Sequence, residues 1–283
     1  MTGGHGPIAR LVPVASEPLH SLSSDLRLAR ELADMADAIS LDRFRSADLA
    51  IETKADESWV TDADTSVERA IRAGIAESRP HDSVLGEEYG TSGSSSRQWI
   101  IDPIDGTSNF ARGVPVWGTL IALAVDGVPV VGVVSAPALG RRWWGASGLG
   151  AYVDDTLGQA TTSQERRIRV SDVARLEDAS MSVAGVQRWR DADRLDELLD
   201  LSGRVKRSRD FGDMWAYMLL AEGLLDIAGE HDLKPYDMAA LIPVIEEAGG
   251  RFTSIDGAAG PWHGSALATN GHLHDDVLAV VAR

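Results

Sequence analysis

The segment Trp99-Ile100-Ile101-Asp102-Pro103-Ile104-Asp105-Gly106-Thr107-Ser108-Asn109-Phe110 constrains this chain most, because it reads as an apolar strand that stops in two carboxylates, a proline, a glycine and a threonine. A strand needed only for packing has no use for such an end. Asp102 and Asp105 face each other across a turn opened by Pro103, so both side chains and the Ile104 carbonyl can converge beyond the strand. Oxygen donors suit magnesium, manganese or calcium rather than zinc, and the chain has no cysteine to favour the softer metal. Gly106 admits close backbone approach and Thr107 adds a hydroxyl. A helix starting here would aim free N–H groups at a phosphate oxygen. As a bare pattern, Asp-x-x-Asp-Gly also fits an ordinary polar turn.

The flanks add a second observation. The stretch resembles, almost letter for letter, the signature W-I-I-D-P-I-D-G-T-x-N-F of the inositol monophosphatase family, which are magnesium-dependent phosphomonoesterases. Upstream, Thr53 to Asp64 resembles the family's T-K-x-D-x-S-x-V-T-x-A-D, with Trp59 on a free position, and Gly86-Glu87-Glu88 matches its G-E-E. Downstream, Tyr236-Asp237-Met238-Ala239-Ala240 resembles W-D-x-A-A with tyrosine in place of tryptophan, followed by an intact Glu247-Ala248-Gly249-Gly250.

The resemblance implies a ligand set. Glu87, Asp102, the Ile104 carbonyl, Asp105 and Asp237 would hold two magnesium ions, with Asp64 helping to bind a third and manganese a substitute. Glu87 and Thr107 would orient the attacking water, and Lys54 would neighbour metal-bound waters. Substrate contacts carry over to Asp105, Gly106, Thr107 and Asp237, to Arg209 in the family's R-x-x-G, and to Glu230, which matches a position touching substrate hydroxyl or amine groups.

After Arg209-Asp210-Phe211-Gly212 many members have serine or threonine, whereas this chain has Asp213. As a bare residue it reads as a helix N-terminal cap. Facing the substrate, its negative charge would favour a cationic alcohol such as histidinol over a neutral polyol. Arg112-Gly113-Val114-Pro115-Val116-Trp117 and Ala136 to Trp144 also look closest to the histidinol-phosphate phosphatase branch.

The wider chain is compatible with this chemistry. Its 283 residues suffice for a sizeable core, and a formal charge of −16 argues against nonspecific nucleic-acid binding. No run is long enough for a membrane span and no secretory signal is evident, so the reading is cytoplasm, a small phosphorylated metabolite as partner, and no nucleic acid or membrane. The expected organisation is a flexible extension over residues 1–24, an α+β portion over 25–175 carrying the metal signature, and a smaller α/β portion over 176–283 completing the site. Composition and periodicity support only mixed α and β. The resemblance implies the layered αβαβα sugar-phosphatase fold shared with fructose bisphosphatases, usually as a homodimer.

Local patterns give further expectations. Leu28, Leu32, Met35 and Ile39 predict a helix from Asp25, capped by Ser24, to about Phe44. Asp126-Gly127 predicts a hairpin between two strands, continued by strands at Arg141–Trp144 and Gly150–Val153, with Arg141 and Arg142 solvated. Gly90 to Arg97 reads as a flexible loop, Arg204 to Lys206 as a short strand, and Lys234 to Ala248 as a turn and a helix bent at Pro243. The seven histidines read as loop or surface residues, with no H-E-x-x-H spacing.

No P-loop, no G-x-S-x-G elbow and no complete dinucleotide fingerprint competes with these readings. Three functions follow: histidinol-phosphate phosphatase; a phosphatase for inositol monophosphate, fructose bisphosphate or a nucleotide 3′-phosphate on the same site; and a binding partner in transcription.

Overall fold

The computed structural model describes residues 20–55, 57–156 and 164–282, so most of the expected N-terminal extension lies outside the described residues. Two sheets alternate with helices in five layers, α, β, α, β, α. Helix α1 (Leu22–Arg43) is capped by Ser21, whose hydroxyl accepts from the Ser24 N–H. The expected cap, Ser24, is therefore inside the first turn. Leu28, Ala29, Leu32 and Ala36 of α1 pack with Val67, Ile71 and Ile75 of α2 (Asp62–Ser78), and the pair covers one face of the larger sheet. Before α2, β1 (Ile51–Thr53) and β2 (Trp59–Thr61) pair as an antiparallel hairpin.

The larger sheet comprises β3 (Ser83–Gly86), β4 (Gly90–Ser92), β5 (Arg97–Asp105), β6 (Gly118–Val125), β7 (Val128–Ala136), β8 (Arg141–Ala146), β9 (Gly150–Asp154) and β10 (Glu165–Arg167). Their order is β10-β9-β8-β7-β6-β5-β3-β4, antiparallel except where β3 runs parallel to β5. The hairpin forms at Asp126-Gly127, both at positive φ, as a tight two-residue connection requires. The expected loop after Gly90 begins as the edge strand β4.

Arg142 is not solvated. Strand alternation turns it toward α1, where it is nearly buried and pairs with Asp34 at 2.7 Å, with Asp37 and with the Ser135 hydroxyl. A buried guanidinium is tolerated only with such partners.

The smaller sheet has the order β12-β11-β13-β15-β14, built from β11 (Ser180–Val183), β12 (Arg207–Arg209), β13 (Ile227–His231), β14 (Arg251–Thr253) and β15 (Ser265–Thr269). The strand expected at Arg204–Lys206 forms three residues later, because Arg204 still ends helix α5 (Leu195–Arg204). Two short helices, α3 (Thr107–Ala111) and α4 (Val186–Asp191), flank the site. Between the sheets lie α6 (Asp213–Ala221), α7 (Pro235–Met238) and α8 (Leu241–Glu247). The break expected at Pro243 falls at Ala239–Ala240 instead, and Pro243 sits in the first turn of α8, where its missing N–H is not needed.

Helix α8 touches the larger sheet closely enough to dictate glycine. A Cβ on Gly132 would stand 2.1 Å from the Ala240 carbonyl oxygen, and one on Gly145 2.7 Å from that of Pro243. Helices α5 and α9 (His274–Val281) close the outer face of the smaller sheet through Leu198, Leu201, Val277 and Val281. His274, expected at the surface, is fully buried between the Thr253 and Thr269 hydroxyls, each 3.0 Å from a ring nitrogen.

Candidate active site

The end of β5 meets the inter-sheet layer in a cleft of about 200 Å³. Residues three apart on a regular strand face opposite sides. Between Asp102 and Asp105 the β5–β6 register shifts, and that irregularity lets both carboxylates serve one point. Asp237, in the first turn of α7, completes a cluster in which one oxygen from each of the three lies within 4.8 Å of the others.

The cluster is electrostatically unfinished. Asp102 is 1% exposed and its Oδ1 is buried without a hydrogen-bond partner among the described residues. Burial, then repulsion from Glu87, Asp105 and Asp237, pushes the Asp102 carboxyl well above its ordinary range. Asp105 is raised likewise by burial and by Asp213 and Asp237, and burial raises Asp237 to about 6. Buried like charges converging on an orphaned oxygen fit a hard divalent cation, which would supply the missing charge. The Ile104 residue also lines the cleft.

Glu87 borders the cleft just past β3 and receives a hydrogen bond from Lys54 Nζ at 2.8 Å. Lys54 also holds Glu88 at 2.7 Å; burial opposes its charge, but these two bonds keep it above the ordinary lysine value. Thr61 caps α2, and Asp64 completes the capping box through Oδ2, which accepts from the Thr61 N–H at 2.8 Å. Its Oδ1 stands 3.2 Å from the Thr107 hydroxyl, and burial raises its carboxyl to about 6. Thr107 Oγ1 also lies 3.0 Å from the Ile104 carbonyl. Strand, helix start and capping box thus fix one hydroxyl beside the acidic cluster.

Beside the cluster, Asp213 is not the cap expected of it. It is the first residue of α6 at φ +47°, and the Met214 N–H behind it donates to Asp105 Oδ2 at 2.6 Å. Asp213 Oδ2 accepts from Asn109 Nδ2 at 2.8 Å, and burial raises its carboxyl to about 6. Gly106, at φ +84°, leaves just enough room: an added Cβ would stand 3.1 Å from Asp213 Oδ2. Glu230, at the end of β13, is pushed up to about 7 by burial, partly offset by Arg188, whose Nη1 donates to Oε1 at 2.6 Å.

Two residues lining the cleft here, Arg188 and Tyr217, were not singled out from sequence. Arg188 shares α4 with a second arginine, Arg190, and carries no distinguishing local signal. Tyr217 lies one helical turn beyond Asp213, on the same face, and that spacing could have flagged it. Arg209 does not line the cleft. It ends the edge strand β12, exposed, with its guanidinium donating to the Ser208 carbonyl at 2.7 Å.

The model of the inositol monophosphatase family matches residues 21–283. The histidinol-phosphatase of Streptomyces coelicolor is 51% identical over 258 residues, covering 90% of this chain and 95% of that protein. That of Mycobacterium tuberculosis is 52% identical over 255 residues, covering 90% and 96%. Among solved structures, an inositol monophosphatase from Zymomonas mobilis superposes with a TM-score of 0.80 at 32% identity, covering 93% of this chain and 99% of that one.

Proposed function

The chain belongs to the inositol monophosphatase family of phosphoric monoester hydrolases, and we propose that it hydrolyses L-histidinol phosphate to L-histidinol and phosphate, a step of histidine biosynthesis. One observation carries the choice of substrate: beside the metal cluster the cleft is lined by two further carboxylates, half-buried Asp213 and buried Glu230, available to the alcohol. With Arg188 turned onto Glu230, the free carboxylate oxygens left over suit an ammonium group better than a ring of hydroxyls.

Asp102, Asp105 and Asp237, with Glu87 and the Ile104 carbonyl, would hold two magnesium ions, and Asp64 would contribute to a weaker third site. When bound, the ions supply positive charge for the phosphate oxygens and acidify a water. The chain's own groups do the positioning. Thr107 donates its proton to Asp64 or to the Ile104 carbonyl, which leaves its oxygen lone pairs to accept from the attacking water. Glu87, steadied by Lys54, takes that water's second hydrogen bond. Asp105 is held by the Met214 N–H, so the metal cluster and the alcohol end keep a fixed separation. In-line displacement then needs no covalent phosphoenzyme.

A homodimer working in the cytoplasm is part of this proposal. Among the described residues no helix is long and apolar enough to cross a membrane. The test is phosphate release from histidinol phosphate and from inositol 1-phosphate, side by side, with and without magnesium. Magnesium-dependent turnover with a strong preference for histidinol phosphate is expected. Parity, or a preference for the inositol ester, would leave only the family assignment.

A further inference from the structure

One polar group at the alcohol end is left without work by this account. Tyr217 is 3% exposed, and its hydroxyl is buried with no hydrogen-bond partner among the described residues. The ring is held by the core, with Phe252 at a centroid distance of 6.2 Å. It borders both the cleft and a narrow void beside it, each shared with Asp213 and Glu230. A phenol buried beside a binding cleft without a partner weakens the free protein. It becomes useful only when something else completes its hydrogen bond.

We propose that Tyr217 is a specificity-determining residue whose hydroxyl oxygen, with Asp213 and Glu230, receives the N–H groups of an ammonium on the substrate's alcohol. Asp213 Oδ2 is occupied by Asn109 and Glu230 Oε1 by Arg188, which leaves one oxygen of each carboxylate for a ligand. Those two oxygens and the phenol make three acceptors, and an alkylammonium has three donors. A neutral hydroxyl offers only one donor and would leave two acceptors unmatched.

The inference rests on the reading of the substrate as a phosphorylated amino alcohol, and the Tyr217→Phe variant tests it. It removes the hydroxyl while keeping the ring. KM and kcat would be measured for histidinol phosphate and for glycerol 2-phosphate, which has no nitrogen, alongside the melting temperature. KM for histidinol phosphate should rise about tenfold with kcat little changed. The glycerol ester should be unaffected, and the melting temperature equal or higher.

An unchanged KM, on a wild-type enzyme that prefers histidinol phosphate, would overturn the Tyr217 contact alone. Equal losses on both esters with a lowered melting temperature would also overturn it, by showing a packing role. A wild-type enzyme indifferent to the nitrogen would instead overturn the substrate reading, and this contact with it.

Discussion

Asp105 Oδ2 accepts a hydrogen bond from the Met214 backbone N–H at 2.6 Å, so a carboxylate of the acidic cluster also caps the helix that carries the alcohol end of the cleft. The two halves of the site are joined by one side chain. Replacing it should separate its charge from its capping. Asp105→Asn keeps an acceptor for Met214 and Asp105→Ala does not, while both remove the same charge. In chelator, urea unfolding should find the Asn variant more stable by about 1 kcal/mol, the worth of an N-terminal cap. Equal stabilities would show that the bond does not anchor α6.

The orphaned Oδ1 of Asp102 leads to a second expectation. Magnesium binds the folded chain through groups the unfolded chain does not bring together, so saturating magnesium should raise wild-type stability, by about 2.7 kcal/mol at a hundredfold excess over Kd. Asp102→Asn should abolish that gain and phosphatase activity together. Without metal it should be at least as stable as wild type, because one buried like charge is gone. A magnesium-induced shift retained in this variant would remove Asp102 from the ligand set.

Arg188 pairs with Glu230, whose carboxyl burial has already pushed up to about 7. Removing the guanidinium takes away the charge that opposes this rise. In Arg188→Ala, Glu230 should therefore stay protonated to higher pH, and the pH at which KM for a cationic substrate reaches its minimum should move up by about one unit. Arg188→Lys should restore most of the shift. A KM–pH profile that does not move would assign Arg188 to packing.

His274 gives a pH effect remote from the cleft. Burial lowers its pKa from 6.5 to about 4, so between those values the unfolded chain binds the extra proton and the folded chain does not. Stability from this group is complete above pH 6.5 and is lost as pH falls toward 4, by at most about 3 kcal/mol. The difference in unfolding free energy between wild type and His274→Gln should thus shrink from pH 7.5 to roughly pH 5. A constant difference would count against a neutral, buried imidazole.

The sequence by itself determined what lies within a few residues of chain. The β5 terminus with Asp102, Ile104, Asp105 and Thr107 was legible because convergence there is set by one strand end and one turn, and the Asp126-Gly127 hairpin because two positive-φ residues suffice for it. Helix caps were less legible: Ser21 and Ser24 offer the same hydroxyl, and only the observed start of α1 separates them. The tertiary structure decided which distant groups share the cleft. It brought Arg188 and Tyr217 in and left Arg209 out on an edge strand, although all three lie in the same half of the chain. It turned Asp213 from a cap into a group facing the cleft, by giving the capping to Asp105 on the other sheet. It also buried Arg142 and His274, whose residue types read as surface. Such placements depend on how two sheets stack through α6 and α8, and the local pattern of one segment does not encode the face another segment will present to it.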